Sequence, residues 1–129
     1  MKIRSTLILV FLTMFFNTRA QIVKDEDIIS TWEKFTSSLC TKNYKQTKVL
    51  FTENGLKKLC MYSVDDSVCF QKIGLQCESL RKSDYKIQHI SSEMVKLLVY
   101  NKIKYKSPST WVFIKKDDQW FIDDYLRAK

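Results

Sequence analysis

Apolar residues fall in two rhythms along this chain, at helical spacing in its first part and at every second position in its last. Ile28, Trp32, Phe35 and Leu39 recur three or four residues apart, which predicts a helix from Ile28 to Leu39 with one face to bury. Asp25, Glu26 and Asp27 precede it and suit the positive end of its macrodipole. Tyr44 to Phe51 reads as a second, short helix capped by Asn43, with Thr52-Glu53-Asn54-Gly55 as the turn that stops it. Leu56 to Tyr62 is ambiguous between strand and helix. After Asp65 and Asp66, either of which can cap an N-terminus, Cys69, Ile73, Cys77 and Leu80 lie on the stripe of a third helix.

From Tyr85 onward the pattern changes. Tyr85 to Ser92, Glu93 to Tyr105, Thr110 to Lys116 and Trp120 to Tyr125 are rich in aromatic and β-branched residues, and they are predicted as strands. In the second of these, Val95, Leu97, Val99 and Ile103 take one parity while Lys96, Lys102, Lys104 and Lys106 take the other. One face of the sheet is therefore expected to be dry and the other wet. Ser107-Pro108-Ser109 and Asp117-Asp118-Gln119 are turns between antiparallel neighbours. Helices followed by a meander of strands define an α+β fold, with N-terminal helices packed on a curved antiparallel sheet.

The beginning of the chain changes the setting. Lys2 and Arg4, the apolar run from Leu7 to Phe16, and Thr18-Arg19-Ala20 before Gln21 make up the three parts of a secretory signal. The run is about half the ~20 residues that a membrane span needs, so residues 1–20 are expected to be cleaved and 21–129 to form one exported domain with no span. Loss of Lys2, Arg4 and Arg19 takes the 22 basic residues to 19 against 14 acidic, a net charge of +5. That balance favours acidic partners and also serves solubility.

All four cysteines, Cys40, Cys60, Cys69 and Cys77, lie in the exported part, and an even number there reads as two disulfides. On one continuous helix Cys69 and Cys77 would stand about 12 Å apart, beyond the roughly 7 Å reach of a disulfide. The favoured pairing is Cys60 with Cys69 and Cys40 with Cys77, and the crossed alternative is next. Zinc is not expected, because the spacings lack a close Cys pair and His89 is the one histidine. Gly55 and Gly74 are the only glycines, which excludes phosphate-cradling loops and dinucleotide cofactors. No cofactor is expected. Paired-histidine ribonuclease chemistry is excluded by the single histidine, and a thiol nucleophile by the oxidised state expected of the cysteines.

A Trp32-x-x-Phe35 helix, the Leu50-Phe51-Thr52 helix end, long hairpins and the closing run from Lys116 to Tyr125 together resemble the nuclear transport factor 2-like superfamily. The chain looks similar to its small secreted members. The resemblance covers nearly all of residues 25 to 126 and implies a cone, in which a strongly bent sheet wraps around helices, much as in cystatin-like folds. The Gln-x-Val-x-Gly loop of cystatin-type inhibitors is absent. This superfamily holds ketosteroid isomerase and scytalone dehydratase beside members without catalysis, so the fold does not select a function.

On the parity of Ile87 and of Val95, Leu97 and Val99, the polar residues aimed into such a cone are Tyr85, His89, Glu93 and Asn101. A histidine and a carboxylate there would serve proton transfer, with Tyr85 as an oxyanion donor. The same residues read equally as a rim aromatic, a solvated histidine and polar strand ends. Lys96, Lys102, Lys104 and Lys106, with Lys115 and Lys116, would dock an anionic glycan or a phospholipid headgroup, and lysines on a wet sheet face also blunt edges. Nucleic acid is not an expected partner, since the aromatics form no stacking row. The leading expectation is a secreted, non-catalytic binding or interaction module for an unknown extracellular ligand or protein, with a homodimer through the sheet as one form of association. The second is a small isomerase or lyase using an apolar pocket in the cone, and the third a binder of anionic extracellular surfaces.

Overall fold

The computed structural model describes residues 24–101 and 106–129. The expected signal (1–20) and the positions Lys102, Ile103 and Lys104 lie outside the described residues. The elements run α1 (Asp25–Cys40), α2 (Tyr44–Val49), α3 (Glu53–Leu59), α4 (Asp66–Gly74), α5 (Cys77–Lys82), β1 (Asp84–Ser91), β2 (Met94–Tyr100), β3 (Ser109–Lys116) and β4 (Gln119–Leu126). The strands form one open, curved antiparallel sheet in the order β1-β2-β3-β4. The fold is α+β, helices first. Among the described residues no helix is long and apolar enough to cross a membrane.

The two hydrophobic rhythms meet in one core. Ile28, Trp32, Phe35 and Leu39 of α1 are buried against Val95, Leu97, Trp111, Phe113 and Ile122 of the sheet. Trp111 meets Trp32 edge-on at 5.1 Å and Phe35 at 5.2 Å between ring centroids. Phe35 in turn meets Phe51 at 5.3 Å, and Phe51 meets Phe70 of α4 at 6.2 Å. Full burial of such side chains is worth about 1.5–3 kcal/mol each, so this chain of rings sets how the helices lie on the strands. Beneath it, Ser38 of α1 and Thr47 of α2 share a buried hydroxyl contact of 2.7 Å, which satisfies both groups away from water.

Several local features differ from the sequence reading. Thr52 does not end α2 as part of a turn. It caps α3, its Oγ1 accepting from the Gly55 amide at 3.0 Å, so the Thr-Glu-Asn-Gly run opens a helix and the ambiguous stretch after it is helical to Leu59. Asn43 occupies the cap position of α2 without a side-chain cap bond. The third helix is interrupted: Asp65 caps α4 through Val68, but α4 stops at Gly74 and α5 restarts at Cys77. Glycine is a poor helix former, and the break throws Leu75 into solvent. Ser92 and Glu93 form a tight turn between β1 and β2, so Glu93 is a turn residue rather than the start of a strand, and β2 ends at Tyr100.

Val95, Leu97 and Val99 are buried as their parity predicts. The opposite face is less wet than expected, because Met94, Leu98, Ile114 and Phe121 are half-buried there and Val112 is buried. In the β3–β4 hairpin, Lys116 pairs with Gln119, and Asp117 and Asp118 both take positive φ, 50° and 60°. That is the geometry of a two-residue turn matched to strand twist.

A bulge in β4 attaches the helices to the sheet. Val112 pairs with Asp124 and Phe113 with Ile122, leaving Asp123 as the extra residue and bending the strand there. The Asp123 carboxylate accepts from Thr52 Oγ1 at 2.7 Å, and its carbonyl accepts from Asn54 Nδ2 at 2.8 Å. Ile122 exchanges backbone hydrogen bonds with Leu50 and Thr52. The approach is so close that a Cβ on Gly55 would lie 2.2 Å from the Ile122 carbonyl oxygen, whereas one on Gly74 would meet only Leu39 O at 3.6 Å.

Two disulfides complete the helical layer. Cys40–Cys77 joins the end of α1 to the start of α5, and Cys60–Cys69 joins the end of α3 to α4. This is the favoured pairing. The interruption after Gly74 separates Cys69 and Cys77 onto different helices, each with its own partner.

Two sets of variants test this account. Gly55→Ala is expected to lower stability by ~1–3 kcal/mol through overpacking, while Gly74→Ala is neutral or stabilising by up to ~1 kcal/mol. Equal denaturation midpoints for the two would contradict the close approach at Ile122. Loop-closure entropy gives about 4 kcal/mol for Cys40–Cys77 and about 2.5 kcal/mol for Cys60–Cys69. Paired Cys→Ala variants compared by urea denaturation should therefore show the larger loss for Cys40 and Cys77, and the reverse order would count against it.

Candidate functional site

Where the strands run out beyond the helical layer, the two layers part and leave a cavity of about 270 Å³. Its floor is the buried pair Val99 and Trp111, with Tyr125 beside them. The Trp111 and Tyr125 rings lie 4.5 Å apart, tilted by 45°. Leu59, Ile73 and Leu80 bring apolar contacts from α3, α4 and α5. Hydroxyl and amide groups line the remaining wall: Gln76, Ser79 and Ser83 from the α5 region, and Asn101 and Ser109 from the strand ends. Lys72, Arg127 and Ala128 complete it, with both cations exposed at the rim.

Local bonding holds this wall in place. Trp111 Nε1 donates to Ser109 Oγ at 3.1 Å, which fixes the indole on the cavity side of the core. Asn101 Nδ2 donates to Ser79 Oγ at 3.2 Å, tying the end of β2 to α5 across the opening. Following β4, Lys129 N donates to Ser107 Oγ at 2.9 Å, and the Lys106 amide donates back to Lys129 O at 3.1 Å. That link carries Arg127 and Ala128 across the end of the sheet. Cys40–Cys77 anchors α5 itself.

Of the four polar residues expected inside the cone, the structure places Asn101 in this wall and the other three elsewhere. Tyr85 is paired with Val99 and His89 with Val95, so both are on the predicted face, but β1 is an edge strand and each is exposed there. Four residues along one strand separates them by about 13 Å. His89 Nε2 lies 2.6 Å from Asp25 Oδ1, joining the edge strand to the first turn of α1. Glu93 is exposed in the β1–β2 turn, where its carbonyl accepts from the Lys115 amide. Tyr85, His89 and Glu93 therefore do not converge.

The lysine stripe is described only in part. Lys96 is half-buried on the outer sheet face in register with Val112, and Lys115 lies within 4.0 Å of Asp118. Cys40, Cys77 and Glu78 are close enough together to hold a metal ion, but the two sulfurs are bonded to each other and offer no thiolate. Among the described residues the buried polar side chains are Thr31, Thr36, Ser38 and Thr47, none of them ionisable.

The cavity is built mostly from residues that sequence reasoning passed over. Lys72, Gln76, Ser79, Ser83, Ser109 and Arg127 come from helix ends, strand ends and the tail, where no periodic pattern marks them. No family model, curated protein or solved structure matches this chain.

Proposed function

We propose that the chain is a secreted, non-catalytic binding module of the nuclear transport factor 2-like type, and that the cavity over Trp111 is where it takes a small ligand. One observation carries this reading. The cavity offers an apolar, aromatic floor and a wall of hydroxyl and amide groups, and among the described residues that line it there is no histidine and no carboxylate. Such a lining suits recognition, with apolar contact for affinity and a few polar groups for orientation.

Catalysis of the isomerase or lyase kind requires an ionisable group held where it can give or take a proton and tuned by its surroundings. The residues suited to that role, His89 and Glu93, stand in solvent away from the cavity. The helices-then-sheet order and the bulged, curved strands support the proposed kinship. Export is supported by the tripartite leader and by two disulfides of the kind that persist in oxidising compartments.

The test is direct binding of an uncharged fluorescent probe. N-phenyl-1-naphthylamine should brighten on addition of the folded protein with a saturable midpoint. Ser79→Phe, which places a ring at the opening from an exposed helix position, should weaken that binding at least tenfold while lowering stability by no more than the ~0.5–1.5 kcal/mol of the lost Asn101 hydrogen bond. Absence of saturable brightening, or equal binding by Ser79→Phe, would refute a ligand site here.

A further inference from the structure

Lys72 and Arg127 reach the same cavity from different directions, one from α4 and the other from the segment after β4. Neither takes part in an ion pair among the described residues. Some cations beside two other surface depressions are paired, while Lys34 in one of these and Lys42 beside a third stand singly among the described residues, each without a second unpaired cation next to it. Lys48 is 3.3 Å from Asp66 and Lys57 is 3.6 Å from Glu53 in one depression. Lys115 is 4.0 Å from Asp118 in another. The cavity over Trp111 gathers two positive charges, and no carboxylate side chain is among the described residues that line it.

From this arrangement, and resting on the binding role proposed above, we propose that the ligand is a small amphipathic anion: an apolar body of ring size bearing one acidic group. The body rests on Val99, Trp111 and Tyr125, and the acidic group faces Lys72 and Arg127 at the rim. Size agrees with this choice. A volume of about 270 Å³ falls just under the ~300–1,000 Å³ usual for drug-sized ligands. Charge agrees as well, since a low-dielectric floor beneath a charged rim strengthens the attraction over its value in open water. Arginine adds a planar fork suited to a carboxylate, sulfate or phosphate. The tail is positioned for this by the Ser107–Lys129 hydrogen bonds.

A matched pair of probes isolates the charge. 8-Anilinonaphthalene-1-sulfonate has the skeleton of N-phenyl-1-naphthylamine with a sulfonate added. The folded, disulfide-bonded protein should bind the sulfonate at least tenfold more tightly than the neutral compound. Lys72→Gln/Arg127→Gln should abolish that difference by bringing the sulfonate's affinity down to the neutral probe's, while Lys45→Gln on the exposed face of α2 changes neither. Raising salt from about 0.01 M to about 1 M, which shortens the Debye length from ~30 Å to ~3 Å, should weaken only the sulfonate. Equal binding of the two probes overturns the anion assignment and leaves the ligand site standing. An equal loss of sulfonate binding in Lys45→Gln also overturns it, because the attraction then comes from overall charge. Failure of both probes to bind removes the ligand site and the anion together.

Discussion

The Trp111 indole sits where the core ends and the cavity begins, and most of the molecule depends on its being held there. Its ring packs against Trp32 and Phe35 of α1 and lies over Tyr125 on the neighbouring strand. Its N–H is satisfied by Ser109, so the polar end of a large buried residue costs little. Inward of Trp111 the two layers interlock through rings and branched side chains. Outward of it they separate, and the separation is lined rather than filled.

That geometry needs the helices to be attached at both ends of the sheet's dry face. The bulge at Asp123 does this on one side, receiving Thr52 and Asn54 at the start of α3. On the other, the Asn101–Ser79 hydrogen bond ties the end of β2 to α5, and the Cys40–Cys77 bridge fixes α5 to the end of α1. Between these anchors α4 and α5 overhang the strand ends without reaching the floor. The cavity between them presents apolar surface with hydrogen-bonding groups around it, the division between affinity and orientation that the proposed binding role would use.

The fold was legible where burial is periodic. Ile28, Trp32, Phe35 and Leu39 mark the inner face of α1, and Val95, Leu97 and Val99 mark that of β2, because one-sided burial imposes a helical or alternating rhythm. Distance along the predicted third helix excluded only a Cys69–Cys77 bridge and left the favoured and the crossed pairings open; the fold selects the favoured one, and the helix itself is interrupted. Asn-Gly looked like a turn at 54–55, but the glycine answers to a tertiary demand, the proximity of Ile122, which no local pattern announces. Parity also placed Tyr85 and His89 on the correct face. Alternation cannot say how far the helical layer extends over that face, and at the edge strand it does not cover them. Asn101 alone of the four candidates reached the cavity wall, because it continues β2 past the last buried valine. Lys72 and Arg127 arrive from elements far apart in the chain, and only the folded arrangement brings them together.

The most direct test is the nitrogen–proton correlation spectrum of the three tryptophan indoles, recorded as 8-anilinonaphthalene-1-sulfonate is added. With the cavity as the binding site, the Trp111 indole resonance shifts progressively and saturably while those of Trp32 and Trp120 stay in place. Shifts at Trp120 or along the outer face at Thr110, Val112 and Ile114, with Trp111 unmoved, would contradict the account.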